Sequence, residues 1–455
     1  MYACIDVGTT NIKLSIYNDE LDSIKHESVK VPVSSEGLQD PLLVLQAVKH
    51  FFKIAKESGA RSAGIACYRS SMVAWDREGN PLSSIVTWLS SSSENTYTSL
   101  SRIVRAIGKI PPLDLVISPV SPALRFLAVQ RELESRFGRN QKNMIWTLDS
   151  FLMYNLTKTF VSDATNSALT GLIDPARFTP LSPVLALLRI NPDFPEIVDN
   201  ARYYGEYEGL EIRALIADQQ AACVAEGALE EGLGKVTNGT GTFVDIPLSK
   251  YRRIDGLIPI VILRHNGKAI YGAEGYLPTS GSAVDFMIRS GLLKSYDELD
   301  KFLMPNVLFI PALAGLQIPS LPKARGIITN IGLTTSREEI LSSLLLSISF
   351  HVRYVIEKYA GRLSKLRADG KLSISNSLLK LISSSTGLPV ERFRDVEATQ
   401  RGLAILQKIS LGKMGLNDID NNRPELINGE RIEGLEDAYK RWKGMLNSLR
   451  NYQSS

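Results

Sequence analysis

Short apolar and alternating runs divide the first part of the chain into strands and helices. Residues 2–7 (YACIDV) are apolar and β-branched, and residues 12–17 (IKLSIY) alternate after a polar Gly-Thr-Thr segment. This pattern predicts two strands joined by a tight turn. Residues 41–58 carry apolar positions at helical spacing, and residues 62–67 (SAGIAC) form another short apolar run. Two strands, a helix and a buried strand in this order indicate an α/β fold.

The second half of the chain repeats this order. Residues 235–247 (KVTNGTGTFVDIP) predict a second strand, Gly/Thr turn and strand, and residues 337–360 predict a long helix. A short strand over 371–375 (KLSIS) and a helix from Ser377 follow, and residues 434–452 predict a closing helix. The repeated order predicts two similar α/β domains.

Composition and charge exclude several classes of protein. The 455 residues are 44% hydrophobic and 22% charged, with a net charge of +4, which excludes disordered and fibrous chains. The scattered basic residues form no patch for nucleic acid. The three cysteines and four histidines are separated, so neither a disulfide framework nor a zinc site is expected. No signal peptide or membrane span is recognisable, which favours a cytoplasmic location without membrane partners.

The first Gly/Thr turn carries candidate phosphate chemistry. Gly8, Thr9 and Thr10 follow the first strand, where glycine lets backbone N–H groups face outward and threonine hydroxyls add donors. Asp6, at the end of that strand, could hold water bound to Mg²⁺. Taken alone, this motif is better explained as an ordinary hairpin turn with a capping aspartate.

The second Gly/Thr turn changes that balance. Gly239, Thr240, Gly241 and Thr242 stand at the equivalent place in the second half. Two such turns, one in each domain, can bind one polyphosphate from opposite sides. No Lys-Ser/Thr follows the glycines, and they do not open a helix as in GxGxxG, so the P-loop and Rossmann interpretations are disfavoured.

Two further junctions bear functional groups. Asp218 and Gln219 follow an apolar run and precede a small-residue helix, so Asp218 could accept the proton of a substrate hydroxyl that attacks phosphorus. An N-cap role is the alternative for Asp218, but it does not explain the neighbouring glutamines. Gly370 and Lys371 form a turn before a helix, where a purine could lie on a flat glycine surface, but a plain loop is favoured when this motif is taken alone.

The order of motifs resembles that of the FGGY carbohydrate kinases, and within them the glycerol kinases. The resemblance covers residues 2 to about 410. Its most specific parts are ADQQAA and the two Gly/Thr turns. It is supported by IDVGTTNIK, GIACYRSSMVAWDREGNPLSSIVTW, WTLDSFLMYNLT, SDATNSALTG, AEGYLPTSGSAVDF, ARGIITNIGLT, RADG and EATQRGLA.

The resemblance implies two actin-like (ribonuclease-H-like) domains with an interdomain cleft. Residues 1–220 would form the N-terminal, sugar- or polyol-binding domain, and residues 221–455 the C-terminal, ATP-binding domain. ATP and Mg²⁺ are the implied cofactors, and homodimers or homotetramers occur in the family. By motif position, the implied roles are Asp218 as catalytic base, Asp6 and Asp218 at the metal, Thr10, Lys13 and Thr240 at the phosphates, Gly370 at the adenine, and Arg69, Trp88 and Gln219 at the acceptor.

Departures from the family pattern concentrate on the acceptor side. Ser70 follows Arg69 where glycerol kinases have glutamate, and Trp88-Leu89-Ser90-Ser91-Ser92 replaces a motif with an acid and arginines. Ser118 or its neighbours replace an aromatic wall, and Lys371 stands at the second glycine of the adenine motif. The departures therefore affect the substrate more than the reaction.

The sequence thus predicts in-line transfer of the ATP γ-phosphoryl group to a hydroxyl of a small polyol or sugar. A ketopentose of the xylulose type or a tetritol is an alternative acceptor. An ATP-binding regulatory protein that has lost sugar kinase activity is an alternative of another class, and a heat-shock-type ATPase or actin-like filament protein ranks below both.

Overall fold

Two compact units make up the fold. The computed structural model describes residues 1–138, 143–393, 397–419 and 424–453. The first unit comprises Met1–Gly227, Ile260–Ile270 and Glu397–Asp420, and the second comprises Ala228–Pro259, Tyr271–Val396 and Asn421–Ser455. Each contains a large mixed sheet. The binding functions assigned above to residues 1–220 and 221–455 remain predictions.

The strands are short, and many are buried. They are β1 (Tyr2–Val7), β2 (Asn11–Tyr17), β3 (Ser23–Lys30), β4 (Leu38–Gln39), β5 (Ser62–Cys67), β6 (Val73–Trp75), β7 (Ile85–Val86), β8 (Met144–Trp146), β9 (Val161–Asp163), β10 (Ile173–Asp174), β11 (Thr179–Pro180), β12 (Glu196–Val198), β13 (Ala201–Tyr207), β14 (Leu210–Ala217), β15 (Leu233–Asn238), β16 (Thr242–Leu248), β17 (Ile258–His265), β18 (Lys268–Leu277), β19 (Leu308–Ile310), β20 (Ile327–Thr329), β21 (Lys365–Asp369), β22 (Val390–Arg392) and β23 (Glu425–Ile427).

The helices alternate with these strands. They are α1 (Pro41–Glu57), α2 (Ser92–Ser99), α3 (Arg102–Ile107), α4 (Leu113–Val116), α5 (Pro122–Phe137), α6 (Leu148–Thr157), α7 (Ala164–Leu169), α8 (Ser182–Leu188), α9 (Asp218–Ala225), α10 (Gly281–Arg289), α11 (Arg337–Ile356), α12 (Asn376–Thr386), α13 (Ala398–Ser410) and α14 (Leu435–Gln453). Short 3₁₀ turns cover Tyr296–Asp300, Lys371–Ile374 and Leu416–Asp418.

The first unit is built on a sheet in the order β13-β14-β5-β1-β2-β3. Strands β1, β5 and β14 run parallel, and β2, β3 and β13 extend the sheet antiparallel on either side. Every residue of β5 is buried, as expected for a central strand. Helix α1 begins at the Asp40 N-cap and buries Val44, Phe51 and Phe52 in the core that also holds Ile5.

The second unit repeats this topology. Within this unit the neighbouring strands of the sheet are β18-β16-β15-β21-β22-β23, of which β15, β21 and β22 run parallel. The antiparallel neighbours are β16 and β18 on one side and β23 on the other. A hairpin followed by two parallel strands is therefore common to both sheets, and the predicted pair of similar α/β domains is confirmed.

Helix α11 forms the core of the second unit. It begins with a capping box between Ser336 and Glu339. Among the described segments it has the length and composition to cross a membrane, but 78% of its apolar window is buried inside the protein. Trp442 of α14 is buried against it and donates its indole N–H to Ser347 Oγ at 2.9 Å. The helix is therefore placed as a core helix.

Candidate active site

Three predicted site segments follow neighbouring parallel strands of the first unit. Val7, Cys67 and Ala217 are register partners at the carboxyl ends of β1, β5 and β14. The Gly/Thr turn and Asp218 come directly after Val7 and Ala217, and the Arg69-Ser70 pair follows Cys67 after one residue, Tyr68. The carboxyl ends of parallel strands are the edge at which α/β sheets bind ligands. The topology thus brings these segments to one edge.

Asp6 and Lys13 face each other across the first hairpin. They are register partners in the antiparallel pair β1 and β2. Burial raises the pKa of Asp6 to about 7, and the charge of Asp218 adds to the rise, whereas Lys13 opposes it. Two carboxyl groups and an amine therefore interact electrostatically at the end of β1.

Lys13 is held by a carboxylate that the sequence did not reveal. Its Nζ lies 3.0 Å from Oε2 and 3.2 Å from Oε1 of Glu397, the residue before α13. The Glu397 charge also raises the pKa of Asp6. The two partners are 384 positions apart in sequence, so no local pattern connects them.

The first Gly/Thr turn is closed by its own backbone. The amide of Gly8 donates to the Asn11 carbonyl oxygen at 3.0 Å, and a Cβ at Gly8 would lie 2.8 Å from that oxygen. Thr10 is exposed, and its hydroxyl accepts a hydrogen bond from the Asn11 side chain at 3.1 Å. Position 8 therefore requires glycine, because the Asn11 carbonyl oxygen lies too close for a side chain. Thr10 faces solvent.

Two side chains fix Thr9 within this turn. Gln39 donates its Nε2–H to the Thr9 carbonyl at 2.6 Å and accepts from the Tyr68 hydroxyl at 2.7 Å. Trp88 donates its indole N–H to Thr9 Oγ1 at 3.1 Å. The first Gly/Thr turn is thus hydrogen-bonded to Trp88, a residue predicted to bind the acceptor substrate. Gln39 and Tyr68 were not singled out from the sequence.

Asp218 is the first residue of α9 rather than its N-cap. Ala217 holds the N-cap position with extended backbone, and its amide donates to Thr165 Oγ1 at 2.9 Å. The Asp218 Oδ1 accepts the amide of Gln219 at 2.8 Å. A carboxylate in the first turn is stabilised by the helix dipole. The predicted strand-to-helix placement of Asp218 is confirmed, whereas its catalytic role remains a prediction.

The acceptor-side residues occupy unusual positions. Ser70 has φ of 61°, in the left-handed region that non-glycine residues seldom adopt. Trp88 is half exposed, and so is the next residue, Leu89. Gln219 is partly exposed beside Asp218. These side chains lie in loops or first turns, where binding residues are commonly found.

The second Gly/Thr turn is braced from α10. The amide of Gly239 donates to Gly241 at 2.9 Å, and the amide of Gly281 donates back to Gly239 at 3.1 Å. The Thr242 hydroxyl is buried and contacts Asn238 Oδ1 at 3.0 Å, so it stabilises the turn internally. Thr240 is exposed. Of the two threonines, Thr240 is the one accessible to a ligand.

The Gly370 turn packs directly on this hairpin. Asp369 and Thr237 are register partners, so the two turns follow neighbouring parallel strands. Gly370 has φ of +87°, and a Cβ there would lie 2.6 Å from the Asn238 carbonyl oxygen. Lys371 Nζ lies 3.6 Å from the ring centroid of Tyr296, a cation–π distance. The second-unit segments predicted to bind nucleotide are therefore adjacent.

The strand predicted over 371–375 is wrong. The strand here is β21, which ends at Asp369, and Lys371–Ile374 forms a 3₁₀ turn. The Gly370 backbone, at φ 87° and ψ 164°, breaks the strand direction before the alternating KLSIS residues begin.

Two models of one protein family match this chain. A model of the N-terminal domain of the FGGY family of carbohydrate kinases matches residues 1–220, and a model of its C-terminal domain matches residues 234–411. The fold is the two-domain, actin-like fold of such kinases, and the protein is a kinase. The chain belongs to the FGGY family of carbohydrate kinases.

Individual relatives match over nearly the whole chain. An uncharacterized sugar kinase of Archaeoglobus fulgidus is 29% identical, with 98% of both chains covered. A glycerol kinase of Aquifex aeolicus is 29% identical, with 96% of both covered. The crystal structure of Plasmodium falciparum glycerol kinase with ADP superposes with a TM-score of 0.87 at 22% identity, covering 98% of each chain. The last similarity supports the fold alone.

Proposed function

We propose that this kinase transfers the γ-phosphoryl group of ATP to a hydroxyl of a small polyol or sugar. The observation that carries the proposal is the placement of Asp218. It begins α9 at the carboxyl end of β14, and its charge acts on Asp6 at the end of β1. A carboxylate at this edge is available to accept the proton of an incoming alcohol.

Proton acceptance by Asp218 leaves an alkoxide-like oxygen to attack phosphorus. In such transfers most of the catalysis comes from positioning and from electrostatic stabilisation of the phosphoryl oxygens. Lys13 supplies the cation for this role, since its amine lies at the same hairpin end as Asp6. Glu397 holds that amine in place at 3.0 Å.

The carboxylates fit a magnesium ion that arrives with ATP. Within the described ranges, no group of three or more His, Cys, Asp or Glu side chains could hold a metal by itself. Magnesium commonly takes one or two carboxylates together with substrate phosphates and waters. Asp6 and Asp218 are the residues that would hold it, because the charge of Asp218 raises the pKa of Asp6 and a nearby cation would relieve that repulsion. Bound there, Mg²⁺ would offset phosphate charge.

Nucleotide contacts are proposed for the Gly/Thr turn of each unit separately. In the first, the Gly8 amide closes the turn on the Asn11 carbonyl, and Thr9 and Thr10 would supply the backbone and hydroxyl donors for phosphate oxygens. In the second, Thr240 is exposed on a turn held by α10, and Gly370 packs against that turn. The cleft that family resemblance implies stays a prediction.

The acceptor is assigned to Arg69, Ser70, Trp88 and Gln219. Serine at position 70 offers one small hydroxyl where glycerol kinases offer a carboxylate, so the hydroxyl pattern that is recognised should differ. Glycerol remains the first acceptor to test because named relatives are glycerol kinases. A ketopentose of the xylulose type or a tetritol is the alternative.

A regulatory ATP-binding protein without turnover is the candidate of another class. The missing acceptor carboxylate favours it, whereas the retained pair of Asp6 and Asp218 argues against it. Nucleotide binding without turnover on any acceptor would identify this case.

The deciding experiment measures ADP release from MgATP with a panel of acceptors. Glycerol, erythritol, D-xylulose and D-ribulose are compared with a reaction that lacks acceptor, and products are identified by mass spectrometry. Acceptor-dependent ADP release together with a phosphorylated product supports the kinase. ADP release at the acceptor-free rate with every compound, while ATP still binds, contradicts it. The cytoplasmic location and the homodimer or homotetramer remain predictions.

A further inference from the structure

Helix α5 carries a charged residue on its buried face. Arg125 is 4% exposed and lies among Leu124, Phe126 and Leu127, which are also buried. An arginine that leaves water needs hydrogen-bond acceptors to offset the cost of desolvation. An apolar residue would fill this place in an ordinary core helix, so the contacts of Arg125 call for an explanation.

The guanidinium donates to backbone carbonyls of three separate segments. Nη1 bonds to the Ser70 carbonyl at 3.0 Å, and Nη2 bonds to the Val120 carbonyl at 3.2 Å. Nη2 also approaches the Trp88 carbonyl at 3.4 Å, a longer contact. The planar guanidinium presents its donors in a fixed fork, which sets the spacing of its acceptors.

Two of these three segments carry residues assigned to the acceptor, and the third adjoins another departure from the family pattern. Ser70 and Trp88 are themselves predicted acceptor residues, and Val120 is two positions from Ser118, where the family's aromatic wall is replaced. Trp88 and Val120 are exposed at 51% and 62%, although their carbonyls bond to a buried group. Arg125 thus fixes the backbone and leaves the side chains accessible.

The Ser70 contact also bears on backbone strain. Ser70 adopts φ of 61°, a conformation that costs free energy for a residue with a Cβ. A 3.0 Å hydrogen bond from a charged donor to its carbonyl stabilises that conformation. Without it, the Arg69-Ser70 segment would relax towards ordinary dihedral angles.

We infer that Arg125 is a positioning residue for the acceptor: its guanidinium ties the Ser70, Trp88 and Val120 segments into one binding surface. The inference rests on the proposed kinase function and assigns it a specificity determinant. Arg125 acts through the loops and does not touch the reacting atoms. It should therefore control binding of the acceptor without controlling binding of the nucleotide.

The test compares Arg125→Met and Arg125→Lys with Arg131→Met. Arg131 lies on the same helix but is exposed and bonds to the Ser99 hydroxyl at 2.7 Å, so it controls for loss of an arginine from α5. KM for the acceptor, KM for ATP and kcat are measured with whichever panel compound the unmodified chain phosphorylates. Hydrogen exchange is followed without any acceptor.

In Arg125→Met, acceptor KM should rise about 10- to 100-fold, because hydrogen bonds from a charged group, which here order the binding surface, have effects of this size. ATP KM should stay within about 2-fold, since Arg125 reaches the first Gly/Thr turn only indirectly, through the Trp88 indole bonded to Thr9 Oγ1, and its own contact with the Trp88 carbonyl is the longest of the three. Arg125→Lys should fall between, because a lysine keeps the charge but not the fork. Arg131→Met should match the unmodified chain. Exchange should increase at 68–72, 86–90 and 118–121.

An unchanged acceptor KM, or equal rises in both KM values, would overturn the inference. So would exchange that increases throughout the first unit, since that indicates general destabilisation. If Arg125→Met does not fold, Arg125→Lys supplies the same comparison. If the unmodified chain phosphorylates no acceptor, the proposed function fails, and the exchange measurement alone decides whether Arg125 fixes the three segments.

Discussion

Substituting Gly370 by alanine perturbs the second Gly/Thr turn without touching a predicted catalytic side chain. The new Cβ would lie 2.6 Å from the oxygen, 2.7 Å from the carbonyl carbon and 3.0 Å from the amide nitrogen of Asn238. All three are backbone atoms at the start of the second Gly/Thr turn. They cannot rotate away as a flexible side chain would, so the turn itself must move.

The size of the effect has two components. The backbone at φ 87° and ψ 164° is nearly restricted to glycine, so alanine costs about 1–3 kcal/mol of strain wherever this conformation occurs. Reaching ordinary contact at 3.4 Å from 2.6 Å also requires the Asn238 oxygen to retreat. That shift is about 0.8 Å in a packed interior that resists it. We expect nucleotide affinity to fall about 10-fold or more, or about 1.4 kcal/mol.

Gly138 separates these two components. It has φ 84° and ψ 164°, close to the values at Gly370, but a Cβ there would meet nothing within 4 Å. Gly138→Ala should therefore introduce the same backbone strain as Gly370→Ala, but its Cβ would not collide with another backbone segment. Titration calorimetry with a non-hydrolysable ATP analogue, without acceptor, should show weaker binding for Gly370→Ala alone. Equal affinities in the two variants would refute the reasoning, as would an unchanged affinity in Gly370→Ala.

Three further substitutions test packing and buried charge. Gly402→Ala should destabilise the chain by about 3 kcal/mol in urea unfolding, because its Cβ would overlap the Ala221 carbonyl. At Gly444 an added Cβ would meet no atom within 4 Å, so Gly444→Ala should instead stabilise the chain by about 0.5–1 kcal/mol. Changes in stability of the same sign in the two variants would contradict this account. Burial and Asp163 raise the pKa of Asp149 from 3.8 to about 7, so its contribution to stability is full below pH 3.8 and is lost as pH rises through about 7. Relative to the unmodified chain, the free energy of unfolding of Asp149→Asn should increase by at least about 1.4 kcal/mol between pH 4 and pH 8, as measured by chemical unfolding. If the difference between the two proteins stays constant over this range, Asp149 does not titrate as described.

Local patterns in the sequence predicted much of the fold. The run SAGIAC gives β5 with the predicted bounds, and the Gly/Thr turns lie between the predicted strand pairs. Apolar periodicity also predicted α11, although the helix ends at Ile356, before the predicted residue 360. These features depend on neighbours within one element, which is the information that periodicity contains.

Contacts between residues that are far apart in the chain were not predicted from the sequence. Glu397 is paired with Lys13 only because the strand and the helix start meet in space. Arg125 stands among apolar residues of α5, and that pattern alone could have marked it, but its three carbonyl partners belong to other loops. Gln39 was missed for the same reason, since it bonds to Thr9 across the fold.

Turnover of Asp218→Asn tests the central claim most directly. The variant keeps the size of the side chain and an oxygen for the Gln219 amide, but it removes the charge that accepts a proton. With saturating MgATP and the acceptor identified in the panel, kcat should fall by about 10²- to 10⁴-fold, as expected for loss of a general base. Affinity for the ATP analogue in the absence of magnesium should be nearly unchanged. A kcat within a few-fold of the unmodified enzyme would contradict the assignment of Asp218 as the base.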